Sequence, residues 1–151
     1  MQVKQTMSRL QKKPIKLGLE KLLANPKKYF GNQRVGLICN QATVNHQFQH
    51  GADLFFEHPD INLTTLFGPQ HGIRGDVQDN MIETGHTNDP QTELPIYSLY
   101  SETREPTEAM LSNIDALAFD LQDVGTRVYT FIYTMANAMK ACARNGKKFF
   151  V

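Results

Sequence analysis

Cysteine occurs only twice in the 151 residues, at Cys39 and Cys142, too few for a disulfide framework or a cysteine metal signature. Charge of either sign is not in excess: 16 Lys and Arg stand against 15 Asp and Glu, a formal net charge of +1. Without a strong positive field there is no electrostatic case for a nucleic-acid partner. No apolar run is long enough to cross a bilayer, so membrane insertion is not expected. Charges run through the N-terminus and no apolar segment follows them, so the chain as written reads as cytoplasmic. The Lys-Ser/Thr ending of a phosphate loop is missing, as are the three glycines of a dinucleotide-binding turn. No nucleotide or other cofactor is expected. His71 and His86 sit near several carboxylates, but their spacing matches no familiar metal-ligand pattern, so no metal is expected either.

The patterning present is that of an α/β protein. Residues 1–33 read as a polar arm ending at Pro14, then a short helix around Leu17, Leu19, Leu22 and Leu23 that stops before Pro26. Lysines in this stretch are interleaved with Pro and apolar positions and read as a solvated face. From residue 34 on, short apolar runs alternate with helical segments. The runs at 34–40, 61–67, 96–100, 115–121 and from Lys147 onward are continuous enough to be buried strands. Residues 51–58, 106–111 and 128–144 read as helices. In the last, Val128, Phe131, Ile132, Met135, Met139 and Cys142 follow a 3–4 spacing, and Asn145-Gly146 supply a stop. Leu54, Phe55 and Phe56 are the expected apolar face of the 51–58 helix, and both cysteines are expected to be small core residues. Residues 68–95 read as a polar loop longer than a compact domain needs, which favours either disorder or a function as a wall or lid. Strands alternating with helices imply a parallel sheet joined by right-handed crossovers and covered on both faces.

Polar clusters follow three of these strands. Asn40-Gln41-Ala42-Thr43 comes after the first. Phe67-Gly68-Pro69-Gln70-His71-Gly72-Ile73-Arg74-Gly75-Asp76 closes the second, combining Pro, three turn glycines, a His, an Arg and a carboxylate. Asp120-Leu121-Gln122-Asp123-Val124-Gly125-Thr126-Arg127 follows the strand at 115–121. In open α/β sheets ligands bind beyond the carboxyl ends of the strands, so parallel pairing gathers all three clusters around one crevice. The bland alternatives are a rigid turn at Gly68–Asp76 and a helix cap at Asp123 paired with Arg127. Tyr129 and Tyr133, four apart, fit one packed helix face better than a sugar platform.

GLICNQ (36–41), LFGPQHGIRGD (66–76), LPIYSLY (94–100), PTEAML (106–111) and DLQDVGTRVYTFIYT (120–134) resemble the N-terminal part of the DUF1343 family, which includes exo-β-N-acetylmuramidases of the NamZ type. The resemblance runs from about Arg34 to the last residue. It implies a Rossmann-like N-terminal domain at 34–151, in three layers, truncated before a smaller C-terminal domain that would form the other wall of the cleft. It implies a peptidoglycan-recycling hydrolase that removes terminal β-linked N-acetylmuramic acid from the non-reducing end of glycan fragments. Many relatives carry export signals, which leaves a periplasmic or secreted parent open.

Glycoside hydrolysis needs a protonated carboxyl to assist departure and a second carboxylate to attack or activate water. Asp120, Asp123, Asp76 and Glu83 are the candidates for that pair. His71 is expected to orient a carboxylate or shuttle a proton. Many members carry Glu where this chain has Gln70, and an amide has no proton to give at neutral pH. The lactyl carboxylate of the implied substrate suits a bidentate Arg, for which Arg74 and Arg127 are the candidates. Asn40, Gln41, Gln122 and Tyr129 complete the expected binding set. The alternative reading is a non-catalytic sugar- or anion-binding domain, or an inactive truncated product.

Overall fold

The structure, a computed structural model, describes residues 15–75, 85–126 and 129–151. Six strands form one sheet: β1 (Arg34–Cys39), β2 (Asn62–Gly68), β3 (Thr87–Asn88), β4 (Pro95–Ser98), β5 (Ala116–Asp120) and β6 (Lys148–Phe150). Their order is β3-β4-β2-β1-β5-β6, and every pair is parallel except β3 with β4. The chain builds outward from β1 through β2 to β4, returns, and builds the other way through β5 to β6. The strand order therefore reverses between β1 and β5, the place where such sheets open a crevice.

Helices α1 (Gly18–Leu23), α2 (Lys27–Phe30) and α3 (Gly51–Glu57) cover one face. Helices α4 (Glu108–Leu111) and α5 (Phe131–Arg144) cover the other. Strand alternation assigns side chains to the two layers. On β5, Ala116 and Ala118 pack with Leu19, Phe30 and Phe55, whereas Leu117 and Phe119 pack with Leu111, Ala138 and Cys142. Both layers are hydrophobic, and each fully buried Leu or Phe contributes about 1.5–3 kcal/mol. Both cysteines are buried core residues, as expected.

The expected elements are present, with four differences. First, α5 starts at Phe131, with Tyr129 and Thr130 outside the helix and Val128 outside the described residues, and its buried face is Thr134, Ala138, Ala141 and Cys142. Ile132 and Met139 of the expected stripe are 54% and 46% exposed. Small residues let the helix lie close to the sheet, so bulk was the wrong guide to its inner face. Second, Phe56 is exposed while Ala52 and Phe55 are buried. Third, the polar stretch between β2 and β4 contains β3, with Thr87 opposite Ile96 and Asn88 opposite Pro95. Nearby, the Ser98 N–H donates to His86 Nδ1 at 3.1 Å. Fourth, α2 is a single turn that the pattern gave no sign of.

At the amino ends of the strands, the Arg34 guanidinium and backbone N–H donate to Asp115 at 2.7–3.1 Å. That ties β1 to the start of β5. At the opposite ends, Cys39 pairs with Asp120 and Gly68 with Ser98. The loops after β1, β2 and β5 therefore leave the sheet at one level.

Candidate active site

A cleft of about 590 Å³ opens over the carboxyl ends of the strands. The β1 loop lines it with Asn40, Gln41 and Ala42; the β2 loop with Gln70 and His71; the β5 loop with Gln122 and Val124; and the approach to α5 with Tyr129, Thr130 and Phe131. The three clusters do meet in space.

Each loop is held by its own hydrogen bonds. After β1, the Ala42 N–H donates to Asn40 Oδ1 at 2.9 Å and the Asn40 N–H to Thr43 Oγ1 at 3.2 Å. The Thr43 hydroxyl donates to the Asp120 carbonyl, so the β1 loop is fastened to the end of β5. After β2, Pro69 starts a tight turn in which the Gly72 N–H donates to the Pro69 carbonyl at 3.1 Å. His71 and Gly72 both sit at φ +74° and Gly75 at +73°. Left-handed backbone is natural for Gly and uncommon for His, and such departures concentrate at binding and catalytic sites. A Cβ on Gly75 would lie 3.2 Å from the Gln41 side chain, so the two loops touch where glycine leaves room.

The wall beside α5 is aromatic. Tyr129 and Phe131 stack with centroids 5.7 Å apart and planes 11° from parallel. Tyr129 precedes the helix and faces the cleft, whereas Tyr133 is 71% exposed and does not line it. The shared helix face anticipated for the two tyrosines is absent, because the helix begins after the first of them.

Arg74 does not line the cleft. Its guanidinium donates to Asp53 on α3 at 2.7 and 3.0 Å and to Asp89 at 2.8 and 2.9 Å. Asp89 is fully buried and also accepts from the Thr92 N–H and hydroxyl. The geometry thus gives Arg74 an internal role in place of the expected carboxylate clamp: four of its five N–H bonds are already committed. Burial opposes ionisation of Asp89, but the hydrogen bonds from Arg74 and Thr92 outweigh it and hold its carboxyl below the usual range.

Asp120 also departs from expectation. Alternation along β5 sends its side chain to the α1 face, into a second cavity of about 290 Å³ with Leu19, Phe55 and Phe150. Burial raises its carboxyl above the ordinary range, with nearby His50 pulling the other way. Asp120 is not among the residues that line the cleft. Asp123 takes the capping role: its carboxylate accepts from the Gly125 N–H at 2.8 Å and from the Ile132 N–H at 3.3 Å. It thereby closes the β5 loop onto the first turn of α5, whose own N-cap, Thr130, makes no side-chain cap. Asp76, Glu83 and Arg127 lie outside the described residues. Among the described residues lining the cleft there is no carboxylate.

Thr130 and Phe131 line the cleft although neither belongs to the three polar clusters, whereas Ala42 and Val124 are members of those clusters. Thr130 and Phe131 lie in a stretch whose apolar spacing reads as continuous helix, whereas the helix starts only at Phe131. His50, which joins two of the loops, gave no signal, because His is not a favoured helix cap.

Residues 35–151 match the family described as exo-beta-N-acetylmuramidase NamZ, N-terminal. The chain is 51% identical over 141 residues to the peptidoglycan beta-N-acetylmuramidase NamZ of Bacillus subtilis (strain 168), covering 93% of this chain and 34% of that protein. Two crystal structures of DUF1343 family proteins from Bacteroides fragilis NCTC 9343 share its fold. One superposes with a TM-score of 0.79 at 45% identity over 89% of this chain, the other with 0.72 at 31% over 91%. The chain spans about a third of the length of each of these relatives. A sheet that reverses beside β1, with the family's sequence blocks on its three cleft-forming loops, belongs to the NamZ N-terminal family of DUF1343 proteins.

Proposed function

We propose that this chain supplies the sugar-recognising wall of a peptidoglycan glycosidase that releases terminal β-linked N-acetylmuramic acid from the non-reducing end of glycan fragments. One observation carries the reading: a cleft at the strand-order reversal lined by four side-chain amides, a histidine and a stacked aromatic pair. Amides both donate and accept, which matches sugar hydroxyls and an N-acetyl group. Tyr129 offers a flat apolar surface to a pyranose face. Gln70 and His71, on the strained turn, stand nearest the chemistry. Gln70 orients the sugar, since an amide cannot act as the acid, and His71 positions or relays a proton. The carboxyl pair comes from outside the described lining, with Asp76 and Glu83 the candidates within this chain, and Arg127 the remaining candidate for the lactyl carboxylate.

The absence of a carboxylate from the described lining favours a second reading, a sugar-binding domain that does not turn over substrate alone. Hydrolysis of a chromogenic β-N-acetylmuraminide, measured beside calorimetric binding of N-acetylmuramic acid, separates the two. Turnover supports the enzyme. Binding without turnover supports the binding domain. Neither turnover nor binding overturns both.

A further inference from the structure

His50 lies outside the cleft yet touches both of the loops that form its floor. The Ala52 N–H donates to His50 Nδ1 at 3.2 Å, capping α3, so the ring proton sits on Nε2. From there it faces two carbonyls, Asn40 at 3.0 Å and Ile73 at 3.2 Å. Asn40 opens the β1 loop, and Ile73 ends the left-handed turn that carries Gln70 and His71. The neighbouring backbone reinforces the link, since the Gly51 N–H donates to the Thr43 carbonyl at 2.7 Å. One imidazole therefore bridges a helix start and two separate loops.

We infer that His50 is a positioning residue that fixes the spacing of Asn40 and Gln41 against Gln70 and His71, and so sets how tightly the cleft grips a sugar. The loops share no sheet pairing beyond Cys39 and Gly68, the last residues of β1 and β2. Past that point their spacing depends on contacts such as this one. The claim about loop spacing stands on the hydrogen bonds; its consequence for the sugar rests on the function proposed above.

Two substitutions divide the ring's tasks. His50→Asn keeps an acceptor near the Nδ1 position, and Asn is a favoured N-cap, but it is too short to reach the two carbonyls. His50→Gln keeps an N–H near the Nε2 position and gives up the cap. Amide hydrogen exchange in the whole chain reads loop order without any ligand: Thr43, which bonds to Asn40, reports the β1 loop, and Gly72, which bonds to Pro69, the β2 turn. Leu54, which bonds to the His50 carbonyl, reports the helix. Binding of N-acetylmuramic acid is measured on the same samples. The expected result is that His50→Asn speeds exchange at Thr43 and Gly72 about tenfold and weakens sugar binding about tenfold, the scale of one lost hydrogen bond, with Leu54 unchanged. His50→Gln should speed exchange at Leu54 and leave the loops and binding near those of the parent. Parent-like loop exchange in His50→Asn would overturn the inference, as would loss of loops and helix together in both variants. If the parent fails to bind the sugar, the functional proposal falls, while exchange still decides whether His50 sets the loops.

Discussion

Arg74 grips Asp53 and Asp89 at once, two hydrogen bonds to each carboxylate. The cation comes from the turn after β2, one anion from α3, and the other from the segment leading into β4. Three elements distant in sequence are thereby locked behind the cleft. Removing the cation leaves Asp89 buried and charged beside Asp53, so Arg74→Met should destabilise by about 3–5 kcal/mol in urea unfolding. Combining it with Asp89→Asn should cost less than the sum of the two single changes, because the repulsion goes with the charge.

Acid should weaken the fold through carboxylates that their partners hold low, Asp115 and Asp89 among them. Arg34 holds Asp115 well below the ordinary range, and Arg74 and Thr92 hold Asp89 below it despite burial. A depressed folded value stabilises above the unfolded value and is lost as pH falls toward the folded one. Stability should therefore stay level near neutrality and decline below about pH 3.9, the unfolded value for Asp. Urea midpoints followed from neutral to strongly acidic pH test this. Asp115→Asn should flatten the decline, and an unchanged slope would exclude Asp115 as a contributor.

Asp120 carries the opposite sign. Its raised carboxyl favours the neutral form in the folded state, so its contribution is most favourable in acid and weakens as pH rises through the folded value. Asp120→Asn should raise Tm at pH 7, and by less at pH 4. Sugar binding should not change, because Asp120 does not line the cleft. A loss of binding would return Asp120 to the site.

The two tyrosines should separate by function. Tyr129→Ala removes the exposed member of the stacked pair and should weaken N-acetylmuramic acid binding about tenfold, or about 1.4 kcal/mol. Tyr133→Ala, off the cleft, should leave calorimetric affinity unchanged.

Much of the architecture is legible in the sequence because buried parallel strands announce themselves as short continuous apolar runs. The position of the cleft follows from the same fact: once β1, β2 and β5 are parallel, their polar endings must share an edge. What the sequence hides is direction. Asp120 and Gln122 look equivalent in the string, yet only Gln122 reaches the cleft, and Asp120 ends a strand whose alternation turns it away. Arg74 looks like a ligand clamp until Asp53 and Asp89 arrive from other elements to occupy it. The inner face of α5 is misjudged because small residues, not large ones, meet the sheet. His50 is silent because its role consists of three backbone partners, none of which a side-chain pattern records.

The stacked wall also gives the cleft a built-in optical label. The chain has no tryptophan and five tyrosines, and of these Tyr129 is the one that lines the cleft. A ligand sliding against that ring would displace water from a single phenol and alter its ultraviolet absorption, while Tyr29, Tyr97, Tyr100 and Tyr133 would supply a constant background. Occupancy of this cleft is thus open to direct spectroscopic titration in the unmodified protein, without a dye or an introduced fluorophore.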